Sequence, residues 1–367
     1  MAPALQVYSE VPVVPVVSVH QHVGLGGPVW PEFAHRILIR HCRDNVPVDG
    51  EPALVAATER LDADCVWGGF LGSHFGHFVA EQVPRLPAAL RERPDDTYLF
   101  TVAPGVTWDS LPPWVAQVFD WTGLRRQQVR LVTEPLMVRC LRVGVQGEML
   151  PQVGPKPGYL DLIAPWAKDL EPMPAPMLYV ARTGLAAQGA GVHAGESYVA
   201  GLLRQQGVAV LDPARAPLRV QMAAYAGAAR IVFAEGSALH GRQLLGHVAQ
   251  DIAVIRRRPL KRMAEASLQP RCRKLMYHDV GDQILMAYWP GGAKRPDRVL
   301  SLFDVARLHR VFRRFGIDLA ANWDADAYAV AALADVEAWI GWHQPKDKHW
   351  PDYAAALGKA GLGEVQG

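Results

Sequence analysis

Apolar residues in the second half of the chain fall into short dense runs: MLYVAR (177–182), GVAVLD (207–212), ARIVFA (229–234) and DIAVIR (251–256). Each is rich in β-branched residues and too short for a buried helix, so each predicts a strand. The segments between them, 194–206, 217–228 and 238–247, space their apolar residues at three and four and predict helices. Short strands alternating with helices of this length imply βαβ units and a parallel sheet, a Rossmann-like half-molecule. The pattern of the first half is looser. RILIRH (36–41), DCVWGGF (64–70), TYLFTVA (97–103), QVRLVTE (128–134) and LMVRCLRVG (136–144) read as strands, with helices over 74–90 and 112–121. Pro84 and Pro87 should kink or end the first of these helices.

Proline-rich, charge-poor stretches bracket one helix between residues 150 and 176, which places a domain boundary there. The expected layout is an α/β N-terminal domain over 1–160, a second Rossmann-like domain over 171–290, and a helical extension over 291–367. That extension should carry helices at 301–314 and 326–341 and a loose tail, LGKAGLGEVQG.

Composition narrows the function classes. The chain has 367 residues, enough for two domains, and its 50% hydrophobic and 20% charged content is that of a folded globule. Thirty-eight basic against 36 acidic residues leave a net charge of +2, so no overall field argues for nucleic acid. Four scattered cysteines form no CxxC pair, and those in apolar runs (Cys65 and Cys140) read as buried thiols in a reducing compartment. No basic residue precedes the apolar N-terminus, and Glu10 and prolines interrupt it, so neither a signal peptide nor a membrane span is expected.

Three stretches could carry chemistry. GSHFGHFVAEQVPRL (72–86) sets His74, His77, Glu81 and Arg85 near one helix face. His77 and Glu81 are one turn apart, so either could serve as a general base oriented by the other. His74, His77 and Glu81 also match metal ligands by type, without the spacing of known helical sites. RIVFAEGSALHGRQLLG (230–246) reads as strand, turn and helix. Gly236 permits close backbone approach, Ser237 could cap the helix, and free N–H groups there would suit a phosphate. It is neither G-x-G-x-x-G nor a P-loop. Arg182 ends the first strand of the same half and should emerge on the same edge, able to hold a diphosphate. Finally, IRRRPLKRMAEASLQPRCRK (255–274) holds eight basic residues and one acidic one; it reads as a solvated loop or an anionic-membrane contact through Arg256, Arg257, Arg258, Lys261 and Arg262.

Read together, GSHFGHFVAEQVPRL and the later LYVAR…GES…VQMAAYAGAARIVFAEGSALHGRQLLG resemble glycosyltransferase family 61, over roughly residues 65–250. The resemblance implies a GT-B-like architecture, two Rossmann-like domains facing across a cleft. It implies inverting transfer of a hexosyl or pentosyl group from a nucleotide-diphosphate sugar, usually UDP-linked, without an essential metal or other cofactor. The acceptor would be a saccharide or glycolipid of surface polysaccharide biosynthesis, such as capsule or exopolysaccharide. By position, His77 and Glu81 match the family's histidine–acid helix and Arg182 its donor-domain arginine. Glu196 matches the acid of an Asn-Glu pair, Gln221 a glutamine opening the next helix, and Glu235, Gly236, Ser237, Ala238 and Leu239 the turn usually written His-Gly-Ala-x-Leu. Glu235 stands where many members have histidine and Gly195 where they have asparagine. The arginine expected shortly before Glu196 is missing around Val192–His193.

On this reading Glu81 is the expected base, with His77 orienting it or contacting the acceptor and the roles open to exchange; His74 and Arg85 lie on the acceptor side. Glu235 beside a diphosphate would repel it unless turned away or protonated. A cytoplasmic protein, peripheral to the inner face of the membrane, is expected. A non-catalytic polysaccharide-binding or scaffold protein and a metal-dependent hydrolase are the alternatives.

Overall fold

The structure, a computed structural model, describes residues 5–20, 22–289 and 292–343. The expected loose tail at 357–367 lies outside them. The architecture is mixed α/β, with parallel strands in three of its sheets.

The first half builds one six-stranded sheet. Strand β1 (Gln6–His20) is followed by β2 (Val23–Pro28), a two-residue hairpin pair β3 (Cys42–Arg43) and β4 (Val46–Pro47), then β5 (Glu59–Phe70), β6 (Thr97–Thr101), β7 (Val129–Val132) and β8 (Leu136–Val143). Spatial order is β2-β1-β8-β5-β6-β7. The four strands β8-β5-β6-β7 run parallel, whereas β1 pairs antiparallel with β8 and β2. The proline-punctuated N-terminus, from which no strand was expected, is thus the longest strand of the sheet. Its pairing with β2 shifts register between Val14 and Ser18, across Pro15, where the ladder lacks a donor. The strand expected at 36–41 does not form. Ile37 and Leu38 lie on the surface, only Ile39 is buried, and the segment folds as two tight 3₁₀ turns leading into β3.

The second half builds an all-parallel five-stranded sheet. Its strands are β9 (Leu178–Val180), β11 (Ala209–Leu211), β12 (Arg230–Ala234), β13 (Asp251–Arg256) and β14 (Lys274–Asp279), in the order β11-β9-β12-β13-β14. A third sheet, β10-β16-β15, joins β10 (Val192–Ala194) to β15 (Gly281–Tyr288) and β16 (Lys294–Phe303). The segment after 291 therefore opens with a strand rather than a helix. Its helices, Val305–Arg314 and Ala325–His343, bury Leu308, Phe312, Val336 and Trp339 against the second half.

One apolar cluster runs through both halves, from Phe78, Phe100 and Phe119 to Tyr225, Phe233 and Leu239. Polar contacts reinforce it. The Trp121 indole N–H donates to Leu244 O at 3.2 Å, and Gln117 Oε1 accepts the Leu218 N–H at 2.6 Å, capping a helix whose preceding residue is Pro217. Glu148 and Arg271, both fully buried, form a two-pronged ion pair at 2.8 Å from one half to the other. The four cysteines are buried free thiols. No helix among the described residues is long and apolar enough to cross a membrane.

Candidate functional site

The site grows from a helical run that is irregular where proline makes it so. Residues Phe75–His77 form one α turn, Phe78–Gln82 a π turn closed by Val83 N–H to Phe78 O, and Val83–Arg85 a 3₁₀ turn before Leu86–Glu92 resumes as α. Pro84 has no N–H to give, so regular α pairing cannot pass through it. The Glu81 carbonyl is taken instead by the Gln146 amide at 3.1 Å, and the Pro84 carbonyl by Gly147 N–H at 3.0 Å. The helix expected over 74–90, with its kink or end at the prolines, opens into a wide turn of the kind concentrated at functional sites, and Glu81 sits on it, wholly enclosed.

Glu81 gathers donors from distant segments. Arg43 Nε donates to Oε1 at 2.6 Å and Arg43 Nη2 to Oε2 at 3.2 Å; His77 Nδ1 lies 3.2 Å and His41 Nε2 3.5 Å from Oε2. Burial pushes the Glu81 carboxyl up, but the hydrogen bonds from His41, His77 and Arg43 outweigh it and hold it well below the usual carboxylate range. The tautomers follow from the network. Gln82 Oε1 accepts Phe70 N–H at 3.2 Å, so its Nε2 donates to His41 Nδ1 at 3.0 Å, which leaves the His41 proton on Nε2, toward Glu81. His77, with Nδ1 directed at Glu81, keeps Nε2 as its basic nitrogen, and the ring is partly open.

His77 faces a cavity of about 270 Å³ at the carboxyl ends of β5 and β6, walled by Val16, Val19, Phe70, Val106, Leu111 and Pro112. Two further imidazoles edge it. His22, at φ 64°, stacks on His77 with ring centroids 4.4 Å apart, and His74 lies 4.7 Å from His77 and 4.8 Å from His22. Enclosure first, and then the neighbouring imidazoles, push both His22 and His74 down, so they are neutral near pH 7. No group of three or more His, Cys, Asp or Glu among the described residues is placed to hold a metal, so His74, His77 and Glu81 do not form a ligand set.

The second half meets this cluster at Gly76. A Cβ there would lie 2.9 Å from the His240 ring and 3.3 Å from Ser237 Cβ, so glycine lets the two halves touch. On the far side, Arg182 lies across the turn after β12, as its strand-end position implied. A Cβ on Gly236 would fall 1.9 Å from Arg182 Nη1. The guanidinium donates to Gly191 O at 3.0 and 3.3 Å, while its backbone N–H goes to Glu196 Oε1 at 2.9 Å. Glu196 also accepts Tyr179 OH at 2.9 Å, and burial lifts it to about 7.

Several expected contacts resolve differently. Glu235 is buried and turned away from the edge, accepting the backbone N–H groups of Arg257 and Arg258 at 3.1 Å each and pairing with the Arg258 guanidinium. Ser237 makes no capping bond, and the helix it opens is a single turn, Ala238–Gly241, continued only by a 3₁₀ turn to Leu244. Ala238 and Leu239 pack in the shared core, and Gln221 donates inward to Pro213 O and Ala216 O. Arg85, expected on the same face as His74 and His77, does not line the cavity beside His77. It is buried and donates to Ile39 O, Arg40 O, Gly144 O and Gln146, stapling the inner layer. Of the basic loop, Arg256 pairs with Asp279, Arg257 is buried against the Asp297 and Val299 carbonyls, and Arg258 holds Glu235; Lys261 and Arg262 remain exposed.

His22, His41, Arg43, Gln82 and His240 escaped sequence reading. The usable signal was the cluster His41-Cys42-Arg43 just before the Asp44-Asn45 turn, hidden by its reading as the end of a strand. No protein-family model matches the chain, and no curated protein matches it.

Proposed function

We propose that the chain is an inverting glycosyltransferase of GT-B-like layout that moves a sugar from a nucleotide-diphosphate sugar, UDP-linked, to a hydroxyl acceptor. The observation that carries the reading is the contact at Gly76. It sets a cavity-facing imidazole backed by a buried carboxylate against the carboxyl edge of a parallel sheet that presents Arg182. The carboxyl edge is where open α/β sheets bind ligands, and the sequence resemblance to glycosyltransferase family 61 points the same way.

The roles of the pair are exchanged relative to the expectation from sequence. A carboxylate held anionic by Arg43 and two imidazoles is a poor proton acceptor, whereas His77 is oriented by it and open to the cavity. His77 Nε2 takes the proton of the acceptor hydroxyl as the acceptor oxygen forms its bond to the anomeric carbon. The bond from that carbon to the diphosphate oxygen breaks on the opposite face, and its electron pair leaves with the nucleotide. Glu81 stabilises the imidazolium, and Arg182 meets the charge developing on the leaving group. The surface polysaccharide setting and a place on the inner face of the membrane, through Lys261 and Arg262, belong to the same proposal.

The test is incubation of the purified protein with a panel of UDP-sugars, with released UDP measured and nucleotide binding followed by calorimetry. Release from at least one donor, lost in His77→Ala with UDP binding retained, is expected. Binding of no nucleotide overturns the reading.

A further inference from the structure

The cavity beside His77 has a chemistry of its own. Among the described residues that line it there is no lysine, arginine, aspartate or glutamate. Its walls are aliphatic and aromatic, with Val16 and Phe70 on one side and Val106 and Leu111 on another. At about 270 Å³ it lies near the small end of ligand pockets, which run from about 300 to 1,000 Å³. Its three imidazoles, His22, His74 and His77, lie together with ring centroids within 5 Å of one another; its hydroxyls are Ser110, whose Oγ is already paired with the Thr107 backbone, and Ser73. Gln82, also on the wall, is already committed to Phe70 N–H and His41. A free monosaccharide, with hydroxyls around its whole rim, would press several of them unpaired against valine and phenylalanine, at the cost of their lost hydrogen bonds. An anion would meet no lysine or arginine among the described lining residues, and His22 and His74, both pushed down, offer it no charge at neutral pH.

We infer that this cavity takes an uncharged, ring-sized apolar body carrying a hydroxyl, with the hydroxyl at the imidazole end beside His77. Resting on the transferase reading, this makes the acceptor an apolar alcohol and departs from the saccharide acceptor that the surface-polysaccharide setting would require. Ala103, exposed on the rim just beyond β6, is the position that controls entry.

The probe is 2-naphthol, followed by its fluorescence on titration with the full chain, with naphthalene-2-sulfonate as the charged analogue of the same size. Saturable binding of 2-naphthol is expected, weakened about tenfold or more both by Ala103→Trp and by replacing hydroxyl with sulfonate. Ala103→Trp sits on the surface, so an unchanged circular dichroism spectrum and unfolding midpoint are expected and keep the comparison valid; Val19→Trp, at a second exposed lining position, repeats it. Absence of saturable 2-naphthol binding, indifference to both tryptophans, or equal binding of the sulfonate overturns the inference. With an active donor, Ala103→Trp should lower kcat/KM for 2-naphthol as acceptor about tenfold while UDP affinity, read in the second half, holds. Turnover onto free saccharides that both variants leave intact overturns the cavity's role while transfer stands. Selective 2-naphthol binding without turnover of any donor upholds the cavity's ligand class and overturns the transferase reading.

Discussion

Two carboxylates flank the site, Glu81 in the first half and Glu235 in the second, and both are fully buried and paired with arginine. Their surroundings differ in kind. Glu235 takes two backbone N–H groups and one guanidinium, all from residues 257 and 258 at the end of the neighbouring strand. Its work is local: it fixes a loop. Glu81 takes only side chains, from Arg43, His41 and His77, and one of these reaches an open cavity. A carboxylate satisfied by backbone can only hold shape, whereas one satisfied by titratable side chains can alter how they bind protons. The chemistry should therefore be lopsided, with the proton handled in the first half and the second half supplying fixed charge.

The sharpest way to break that contrast is to remove the proton acceptor. His77→Ala should reduce UDP release by about 10²–10⁴-fold, the usual contribution of a general base, while Glu235→Gln should cost far less. His74→Ala should also cost little, since its ring has no carboxylate partner among the described contacts. A steady-state assay across the three variants decides it. An equal loss in Glu235→Gln would move the chemistry to the second half.

Stability should separate the two carboxylates next. Glu81→Ala takes the fully buried carboxylate from Arg43 and two imidazoles together, and should destabilise the fold by about 3 kcal/mol or more. Glu235→Ala takes the carboxylate from one guanidinium and two backbone N–H groups, against an arginine and two imidazoles at Glu81, so a smaller loss of about 1–3 kcal/mol is expected. Urea unfolding midpoints measure both; equal losses would mean that the number of side chains gathered on the carboxylate does not set the cost.

The same contrast governs what the sequence could reveal. The second half was legible because its contacts are short-range. Strands β9, β12 and β13 appear where the apolar runs place them, and Arg182 reaches the turn at Gly236 because neighbouring parallel strands end together. The orientation of Glu235 was not legible, since it depends on a loop conformation that no periodicity encodes. In the first half the helix carrying His77 and Glu81 was visible as a polar stripe, but its π turn was not, and Arg85, on the same stripe, points into the interior. Arg43 and His41 come from 38 and 40 residues earlier in the chain, and His22 from a strained turn. Only tertiary closure brings them together, and pattern at helical or strand spacing carries no trace of it. The prolines of β1 argued against a strand in isolation, and pairing on both sides overrode them.

A donor-side probe that changes no charge sharpens the division further. Gly236→Ala puts a methyl group where Arg182 Nη1 lies, so the guanidinium must leave the turn. UDP affinity should fall about tenfold, the scale of one charged hydrogen bond, with naphthol binding in the first half unchanged. Calorimetry with each ligand reads the two sides separately, and a parallel loss of both would show that the halves act as one site.

The smallest effect distinguishes open imidazoles from closed ones. His193, the middle residue of β10, is buried and stacked 4.4 Å from Phe303, and burial together with Arg257 pushes it down to about 3. His240, buried beside Gly76, is pushed down to about 4 for the same first reason. In the unfolded chain both titrate near 6.5, so between pH 6.5 and 4 the unfolded state holds protons that the folded state does not. Folding stability is then complete above pH 6.5 and declines as the pH falls, by under about 1 kcal/mol per group at pH 6. Glu81 acts in the same direction lower down: its depressed carboxyl stabilises the fold above about pH 4.3 and loses that contribution as the pH drops further. His193→Phe, which keeps the stack on Phe303, should flatten the decline between pH 6.5 and 5; His74 is pushed down to about 4 but its ring still meets solvent at the cavity mouth, so water screens part of that shift and His74→Phe should flatten the decline less. Unfolding midpoints at pH 7, 6 and 5 measure the difference, and an equal flattening in both variants would mean that the cavity mouth is as closed to water as the interior of the second half.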